Sequence, residues 1–217
     1  IDSINSDNLI SNLRGYNMAT MKAVIINEYG DFDVLKYTDV PKPEVSDDTV
    51  LIQVHAAGIN PVDSKTRQGQ AMAGDYQDKY FPLIIGWDIS GVVEAVGQNV
   101  SQFKIGDEVY GMVGFPEPGS AYAEYVVTNP SMIALKPNNL SHVEASVIPL
   151  VALTSWQALF DTAGLEAGQK VLIHAAAGGV GHIAVQLAKW KGATVIGTAS
   201  EKNADFFFGP PIFSRKS

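Results

Sequence analysis

The sequence predicts an α/β chain in which a β-rich part precedes the first β-α-β unit of a parallel sheet. Short runs of β-branched and aromatic residues, separated by Gly, Pro and Asp, dominate residues 21–127. Residues 170–203 then alternate between a strand pattern, a glycine-rich turn, a helical pattern and a second strand pattern. The 217-residue chain is 46% hydrophobic and 18% charged, which is ordinary globular composition. It is therefore long and apolar enough to bury a core.

The β-rich part is built from short strands. The predicted strands are MKAVIINEY from Met21, VLKYTDVPKP from Val34, TVLIQVHAAGIN from Thr49, Ile84 to Trp87, Gly91 to Gly97, Asp107 to Tyr110 and Tyr122 to Val127. Many short strands at close spacing predict a partly open β-barrel. Pro41 and Pro43 place the second strand at a sheet edge or end it, because proline cannot donate to a ladder.

Three stretches of this half predict other structure. Asn60 followed by Pro61 predicts a short helix that ends at Gly69, with Asn60 as N-cap. Polar residues 68–79 predict a mobile loop. Ser141 with Glu144 three residues later is a capping box, and Pro149 breaks or kinks that helical region before it resumes from Leu150 to Thr162. We place the domain boundary in this helix pair, near residue 145.

The glycine-rich turn is the most informative stretch. The apolar run Val171 to Ile173 predicts a strand covered on both faces, and Thr194 to Thr198 predicts the second strand. The turn departs from G-x-G-x-x-G because Ala176 occupies the first glycine position. Gly192 should end the intervening helix in a left-handed cap. We expect that helix to bury one stripe: Val180, Ile183, Ala184, Leu187 and Ala188.

These residues predict nucleotide binding. Gly178 lets the backbone approach a pyrophosphate, and Gly181 lets helix and strand pack closely. The helix N-terminus offers free N–H groups to the phosphates. A merely structural glycine turn is the alternative. The cofactor contacts predicted for the turn are Ala177, Gly178, Gly179, Val180 and Gly181.

Composition excludes several partners. A net charge of −8 argues against a nucleic-acid surface. The absence of Cys excludes disulfides and thiolate metal sites, and suits a reducing cytoplasm. No apolar stretch is long enough to span a bilayer. We therefore expect a cytoplasmic protein whose partners are small molecules rather than nucleic acid or membrane.

Both chain ends depart from the pattern. Residues 1–20 are rich in Asn and Ser and are expected to form a disordered extension. Residues 206–217, FFFGPPIFSRKS, have no helical period and carry two prolines where the next helix should lie. We interpret them as an aberrant tail after a C-terminal truncation, and expect the chain as written to show little or no turnover.

Several motifs in a fixed order resemble the zinc-independent quinone oxidoreductase branch of the medium-chain dehydrogenase/reductase superfamily, over residues 21 to about 205. They are MKAV from Met21, AAGINPVD at 56–63, GWDISGVVEAVG at 86–97, GDEVYG at 106–111, LTSWQAL at 153–159 and AAAGGVG at 175–181. The resemblance implies a GroES-like catalytic domain at 21–145 and a partial Rossmann NADP-binding domain at 146–205. It implies hydride transfer from NADPH to a quinone or to an activated C=C bond, in a cleft between the domains.

The resemblance also implies particular site residues. Zinc members place Cys where Asn60 stands and His-Glu where Trp87-Asp88 stand, so no catalytic zinc is expected. Asn60 and Lys65 are the candidates for stabilising the enolate oxygen; the alternative is that Asn60 only caps its helix and Lys65 is solvated. Thr154 matches a position beside the nicotinamide, or is a buried Thr bonded to its own helix. The four histidines, His55, His142, His174 and His182, are expected to be packed or surface residues.

The residues after the second strand bear on cofactor choice. Ala199 stands where NAD-specific relatives carry an acid, and Ser200, Lys202 and Asn203 suit a 2′-phosphate, so NADP(H) is expected. Glu201, if turned inward, would favour NADH instead. Alternative functions are a 2-enoyl thioester reductase and, in another class, a non-catalytic nucleotide- or RNA-binding or structural relative. The resemblance also allows a homodimer of the full-length protein. The sequence does not identify the acceptor.

Overall fold

The computed structural model describes residues 19–76 and 79–203, which divide into two compact units between Val147 and Ile148. The strands of the first unit are β1 Thr20–Ile26, β2 Lys36–Pro41, β3 Val50–Ala57, β4 Leu83–Ile84, β5 Asp88–Val96, β6 Glu108–Met112, β7 Tyr125–Thr128 and β8 Ile133–Leu135. Its helices are α1 Pro61–Arg67, α2 Ala73–Tyr76 and α3 His142–Ser146, with 3-10 turns at Phe32–Val34 and Pro130–Met132.

The strands of the first unit form two antiparallel sheets. One has the order β2-β1-β4 and the other the order β7-β3-β5-β6-β8. β2 lies at a sheet edge and ends at Pro41, as its prolines predict. The register between β3 and β5 shifts twice, between Leu51 and Ile52 and between Val54 and Ala56. Such shifts bend and twist strands, which lets short strands curve around a core.

That core is mostly β-branched. Alternate residues along β3 and β5 point inward, and their partners come from β6, β7 and the flanking loops. The fully packed set comprises Val50, Ile52, Ile89, Val93, Val109, Val113, Ala121, Val126 and Ile133. A second cluster, which includes Trp87 and Tyr76, lies beneath β1 and β4.

Several predicted boundaries in this unit were wrong. The stretch 68–79 is more than a loop, because α2 forms within it and buries Ala73 and Tyr76. The strand predicted at Ile84 to Trp87 is only Leu83–Ile84, and the one predicted at Tyr122 to Val127 is Tyr125–Thr128. Strand β8 was missed because three residues are too short to show a period.

The second unit contains α4 Pro149–Trp156, π-helical turns at Gln157–Thr162, β9 Lys170–Ile173, α5 Gly179–Lys191, β10 Thr194–Gly197 and a 3-10 turn at Glu201–Asn203. β9 and β10 are parallel neighbours. Gly192 caps α5 with φ of 93°, the predicted left-handed conformation. The predicted helix break at Pro149 is also confirmed, since α4 begins there.

Burial in the second unit differs from expectation at two places. β9 is not covered on both faces, because Leu172 is 54% exposed. Val180 is 37% exposed and does not join the buried stripe, which is formed by Gly181, Ala184 and Ala188. Residues 1–18 of the predicted N-terminal extension lie outside the described residues. Thr20, which the prediction also placed in the extension, belongs to β1. The tail at 206–217 also lies outside them.

Candidate functional site

Helix α1 positions the candidate site residues of the first unit. Pro61 occupies the first helical position, where its fixed φ suits a helix and its missing N–H costs nothing. The Asp63 carboxylate accepts a hydrogen bond from the Asn60 backbone N–H at 2.6 Å, and the Asp63 N–H donates to the Asn60 carbonyl at 3.0 Å. Asn60 is thus the N-cap residue that the sequence predicts, and its backbone is held in place at both polar groups.

The Asn60 side chain is turned into the protein. Its amide nitrogen donates to Asp88 Oδ2 at 3.0 Å, and only 7% of Asn60 and none of Asp88 is exposed. Just before Asn60, the Gly58 N–H donates to the Asp88 carbonyl at 2.9 Å. A Cβ on Gly58 would lie 2.4 Å from the Ser146 carbonyl oxygen, so only glycine allows this close approach.

A tyrosine completes the network around Asp63. The Tyr122 hydroxyl donates to Asp63 Oδ2 at 2.7 Å. Burial raises the pKa of the Asp63 carboxyl, and the hydrogen bonds from Asn60 and Tyr122 oppose that shift. Burial and the neighbouring carboxylate also raise the pKa of Tyr122. The phenol therefore stays protonated and acts as a fixed donor at neutral pH.

Lys65 has different surroundings. Its side chain is exposed, and it forms no ion pair with any residue in the described ranges. Asn60 and Lys65 lie on the same short helix, but one side chain points to a buried carboxylate and the other to solvent. Lys65 is thus a free cation within the described part of the first unit, while the Asn60 amide is committed to Asp88 on one side.

The residue in the zinc-ligand position of zinc relatives is Trp87. Its ring is 1% exposed, and its Nε1 donates to the Glu117 carbonyl at 2.8 Å. Across residues 19–76 and 79–203, His, Asp and Glu form no group of three or more that could hold a metal ion. In the same part of the chain, no helix is long and apolar enough to cross a membrane.

His142 lies in a polar cluster that the sequence did not indicate. Its Nδ1 is 2.7 Å from Ser90 Oγ, its Nε2 is 3.4 Å from a Glu108 oxygen, and its ring packs against His55. Burial lowers the pKa of His142, and His55 adds to that effect while Glu108 opposes it. The expectation of a packed histidine holds at this position.

The second unit has its own group of candidate site residues, at the turn between β9 and α5. Ala175 has φ of 49°, a left-handed conformation that is unusual for a residue with a side chain. A Cβ on Gly181 would lie 2.3 Å from the Ala175 carbonyl oxygen, whereas one on Gly178 would meet nothing closer than 3.1 Å. Gly181 is therefore required for packing, as predicted, while a Cβ on Gly178 would fit only tightly against the Ala175 carbonyl oxygen.

The N-terminus of α5 suits a phosphate. Gly178, Gly179 and Val180 are exposed, no side chain caps the first turn, and no acidic residue lies in it. The N–H groups of a first helical turn have no partner within the helix and carry a positive dipole end. The cradle that a Cβ would fill and the uncapped helix end fit a dinucleotide diphosphate.

The residues expected to choose between cofactors lie at the same edge of the parallel pair. The Thr198 N–H donates to the Ile173 carbonyl at 3.0 Å, and the Ala176 N–H to the Thr198 carbonyl at 2.9 Å. Ser200 and Lys202 follow at once and are exposed, and the Asn203 amide donates to Ser200 Oγ at 3.2 Å. The structure thus brings the turn and the 200–203 segment together.

The buried hydroxyl side chain in this part of α4 belongs to Ser155 and not to Thr154. Thr154 on α4 is exposed, so the alternative of a buried threonine was wrong. Ser155 is the buried residue instead, and its hydroxyl lies 2.7 Å from the Val151 carbonyl and 3.0 Å from the Val180 carbonyl. This serine joins α4 to the start of α5. Sequence reasoning missed it because a single Ser carries no spacing signal.

Comparisons with known proteins show which family this chain resembles. Residues 46–138 match the alcohol dehydrogenase GroES-like domain, which confirms the fold expected for the β-rich part. The 2-methylene-furan-3-one reductase of Solanum lycopersicum is 41% identical over 78% of this chain and 44% of its own length. The chloroplastic NADPH-dependent alkenal/one oxidoreductase of Arabidopsis thaliana is 39% identical over 85% of this chain and 49% of its own.

A solved structure is similar to this chain in both sequence and fold. The quinone oxidoreductase of Coxiella burnetii is 45% identical with a TM-score of 0.80, and the match covers 87% of this chain and 59% of that one. The chain belongs to the medium-chain dehydrogenase/reductase superfamily, in its quinone oxidoreductase branch. It spans about half the length of the curated relatives it matches.

Proposed function

We propose that this chain supplies the acceptor-binding and nucleotide-binding residues of an NADPH-dependent reductase of quinones or α,β-unsaturated carbonyl compounds. The observation that carries the proposal is the shared edge of β9 and β10. There an uncapped helix N-terminus and the polar 200–203 segment meet. Two relatives are named for reducing an alkenal/one and a methylene-furanone, and one of those names specifies NADPH.

In the second unit, each group has a distinct task. The backbone N–H groups of Gly179, Val180 and Gly181 hold the diphosphate, and the missing Cβ of Gly178 lets it approach. Ser200, Lys202 and Asn203 bind the 2′-phosphate through a cation and neutral donors. Ala177 lines the turn, and the exposed Thr154 hydroxyl orients the carboxamide. The nicotinamide cofactor, when bound, supplies a hydride.

In the first unit, Asn60 and Lys65 act on the acceptor. As negative charge develops on the carbonyl oxygen of the acceptor, an amide N–H and a cation stabilise it where zinc relatives use a metal. The buried Trp87 and the single carboxylate beside it support a zinc-independent reaction. Elemental analysis of the dialysed protein should find well under one zinc per chain.

An acceptor screen tests the proposal. A full-length version of this protein is given NADPH or NADH with small enones, quinones and 2-enoyl thioesters, and nicotinamide oxidation is followed. We expect turnover with enones or quinones and a preference for NADPH. Turnover restricted to enoyl thioesters would support the thioester alternative, and absence of turnover with every acceptor would reject the enzyme.

A further inference from the structure

The orientation of the Asn60 side-chain amide is fixed by its hydrogen-bond partner, Asp88. The Asn60 amide nitrogen donates to Asp88 Oδ2, and a carboxyl oxygen that carries no proton only accepts hydrogen bonds, so the N–H2 end of Asn60, and not its carbonyl, faces Asp88. With the amide flipped, two oxygens would face each other across 3.0 Å in a buried place where solvent screening is weak. The orientation is therefore set by hydrogen bonding and not by packing alone.

We infer that Asp88 is a positioning residue that turns the Asn60 amide so that its second N–H is held ready for the carbonyl oxygen of an acceptor. This inference rests on the proposed function. An amide has two N–H donors, and Asp88 uses one of them. A donor held in place before charge develops stabilises that charge without reorganising at the moment of reaction.

The surroundings of the pair support a fixed geometry. The Asn60 backbone is held by Asp63, which is itself held by the Tyr122 hydroxyl. The backbone of Asp88 is held on its other side, where the Gly58 N–H bonds to its carbonyl. Neither end of the Asn60 to Asp88 hydrogen bond can shift without breaking another buried contact. Asn60 keeps 7% of its surface exposed, so the residue is not fully sealed from the surface.

The inference predicts a dependence on the acceptor. A donor to the forming oxygen anion contributes more when that anion is more basic, so alkyl enones should need the donor more than quinones do. Loss of the correct amide orientation should therefore lower kcat for an alkyl enone much more than kcat for a quinone. A residue that only supports the fold would lower both rates in proportion.

The test uses a full-length version of this protein with NADPH, an alkyl enone and a benzoquinone. Asp88→Leu removes the acceptor, and should lower kcat for the enone about 10- to 100-fold with little change in KM, and kcat for the quinone less. Asp88→Asn offers an amide that pairs with Asn60 in either flip, and should give an intermediate loss. Ser90→Ala is the control, because it removes a buried hydroxyl two residues along the same strand.

The unmodified protein and the variants are compared by their enone-to-quinone ratio of kcat. We expect the enone-to-quinone ratio of kcat to be highest in the unmodified protein, lower in Asp88→Asn and lowest in Asp88→Leu. The ratio should stay unchanged in Ser90→Ala, whatever its Tm. If Asp88→Leu does not fold, the ratio in Asp88→Asn decides alone. An unchanged ratio in the folded Asp88 variants would overturn the inference. Absence of turnover by the unmodified protein would instead reject the proposed function.

Discussion

The phenol of Tyr122 donates to the carboxylate of Asp63 across 2.7 Å, although 59 residues separate them in the sequence. The contact joins the loop before β7 to the first turn of α1. Because Asp63 in turn fixes the Asn60 backbone, one buried hydrogen bond connects a distant loop to the candidate acceptor site.

Tyr122→Phe removes that donor and leaves the ring. We expect the free energy of unfolding to fall by about 1–3 kcal/mol, because a buried carboxylate loses a hydrogen bond. Urea unfolding followed by circular dichroism measures the change. Tyr125→Phe on β7 is the control and should change the stability by less than about 0.5 kcal/mol. Equal effects of the two variants would mean that the hydrogen bond from the Tyr122 hydroxyl does not contribute measurably to the free energy of unfolding.

Gly181 and Gly179, two of the three glycines of the turn, make a matched pair. A Cβ on Gly181 would meet a backbone oxygen at 2.3 Å, whereas one on Gly179 would meet only a Val151 methyl at 3.6 Å. Gly181→Ala should therefore destabilise the protein by about 1–3 kcal/mol and weaken NADPH binding. Gly179→Ala should fold normally. Thermal unfolding and calorimetric titration test both variants, and the reverse order of effects would contradict the steric account.

The pH dependence of stability should carry a contribution from His142. Its pKa lies below the ordinary 6.5 in the folded chain because burial disfavours the cation, with His55 and Lys136 adding to this and Glu108 opposing it. Between the folded pKa and 6.5 the unfolded chain binds more protons, so stability should fall as pH drops through that window and stay level above it. Urea midpoints from about pH 5 to about pH 8 measure this.

His142→Asn keeps a donor for Ser90 and cannot titrate, so it should flatten the profile below pH 6.5. His174→Asn, at an exposed position after β9, is the control and should leave the slope as it is. A slope that survives in His142→Asn would assign the effect to another group.

Lys202 should select the phosphorylated cofactor. Lys202→Ala removes the cation that we propose binds the 2′-phosphate, so NADPH binding should weaken about tenfold, or about 1.4 kcal/mol, with NADH binding unchanged. Lys189→Ala, in the last turn of α5, is the matched control with the same charge change. Calorimetric titration of each variant with NADPH and with NADH measures the two affinities. If NADH binds as tightly as NADPH before any substitution, Glu201 is the residue that reads the ribose.

Lys65 should act on turnover rather than on cofactor affinity. In a full-length version of this protein, Lys65→Met should lower kcat on the order of 10²- to 10³-fold, because the cation stabilises charge that develops in the transition state. Its exposure and lack of an ion pair in the described ranges leave it free for this task. Lys36→Met, an exposed lysine on β2, is the control. Unchanged kinetics would make Lys65 an ordinary surface residue.

The sequence predicted most of the backbone at the candidate site, because local chemistry decides it. Pro61 and Gly192 act on their own segments, so their roles could be inferred directly. The side-chain partners of Asn60 and Asp63 could not be inferred, because Asp88 reaches Asn60 and Tyr122 reaches Asp63 through tertiary packing that leaves no period in the sequence. The same holds for Ser155, whose second contact lies 25 residues away.

Burial was harder to predict than secondary structure. Leu172 and Val180 have the apolar side chains that a covered face requires, and both are exposed. A hydrophobic pattern shows which residues suit burial, but it does not show whether a covering element is there. The positive φ of Ala175 was also not predicted, because an alanine in the sequence does not indicate a left-handed backbone conformation.

The exposed face of β9 and β10 has a consequence for how the chain behaves in solution. Leu172 and Ile196 are register partners, and they are 54% and 55% exposed, so together they form an apolar strip on a sheet of two strands. Such a strip binds hydrophobic dyes and favours self-association. Colloidal stability of the isolated chain should therefore depend on concentration, and a polar side chain at position 172 should delay precipitation.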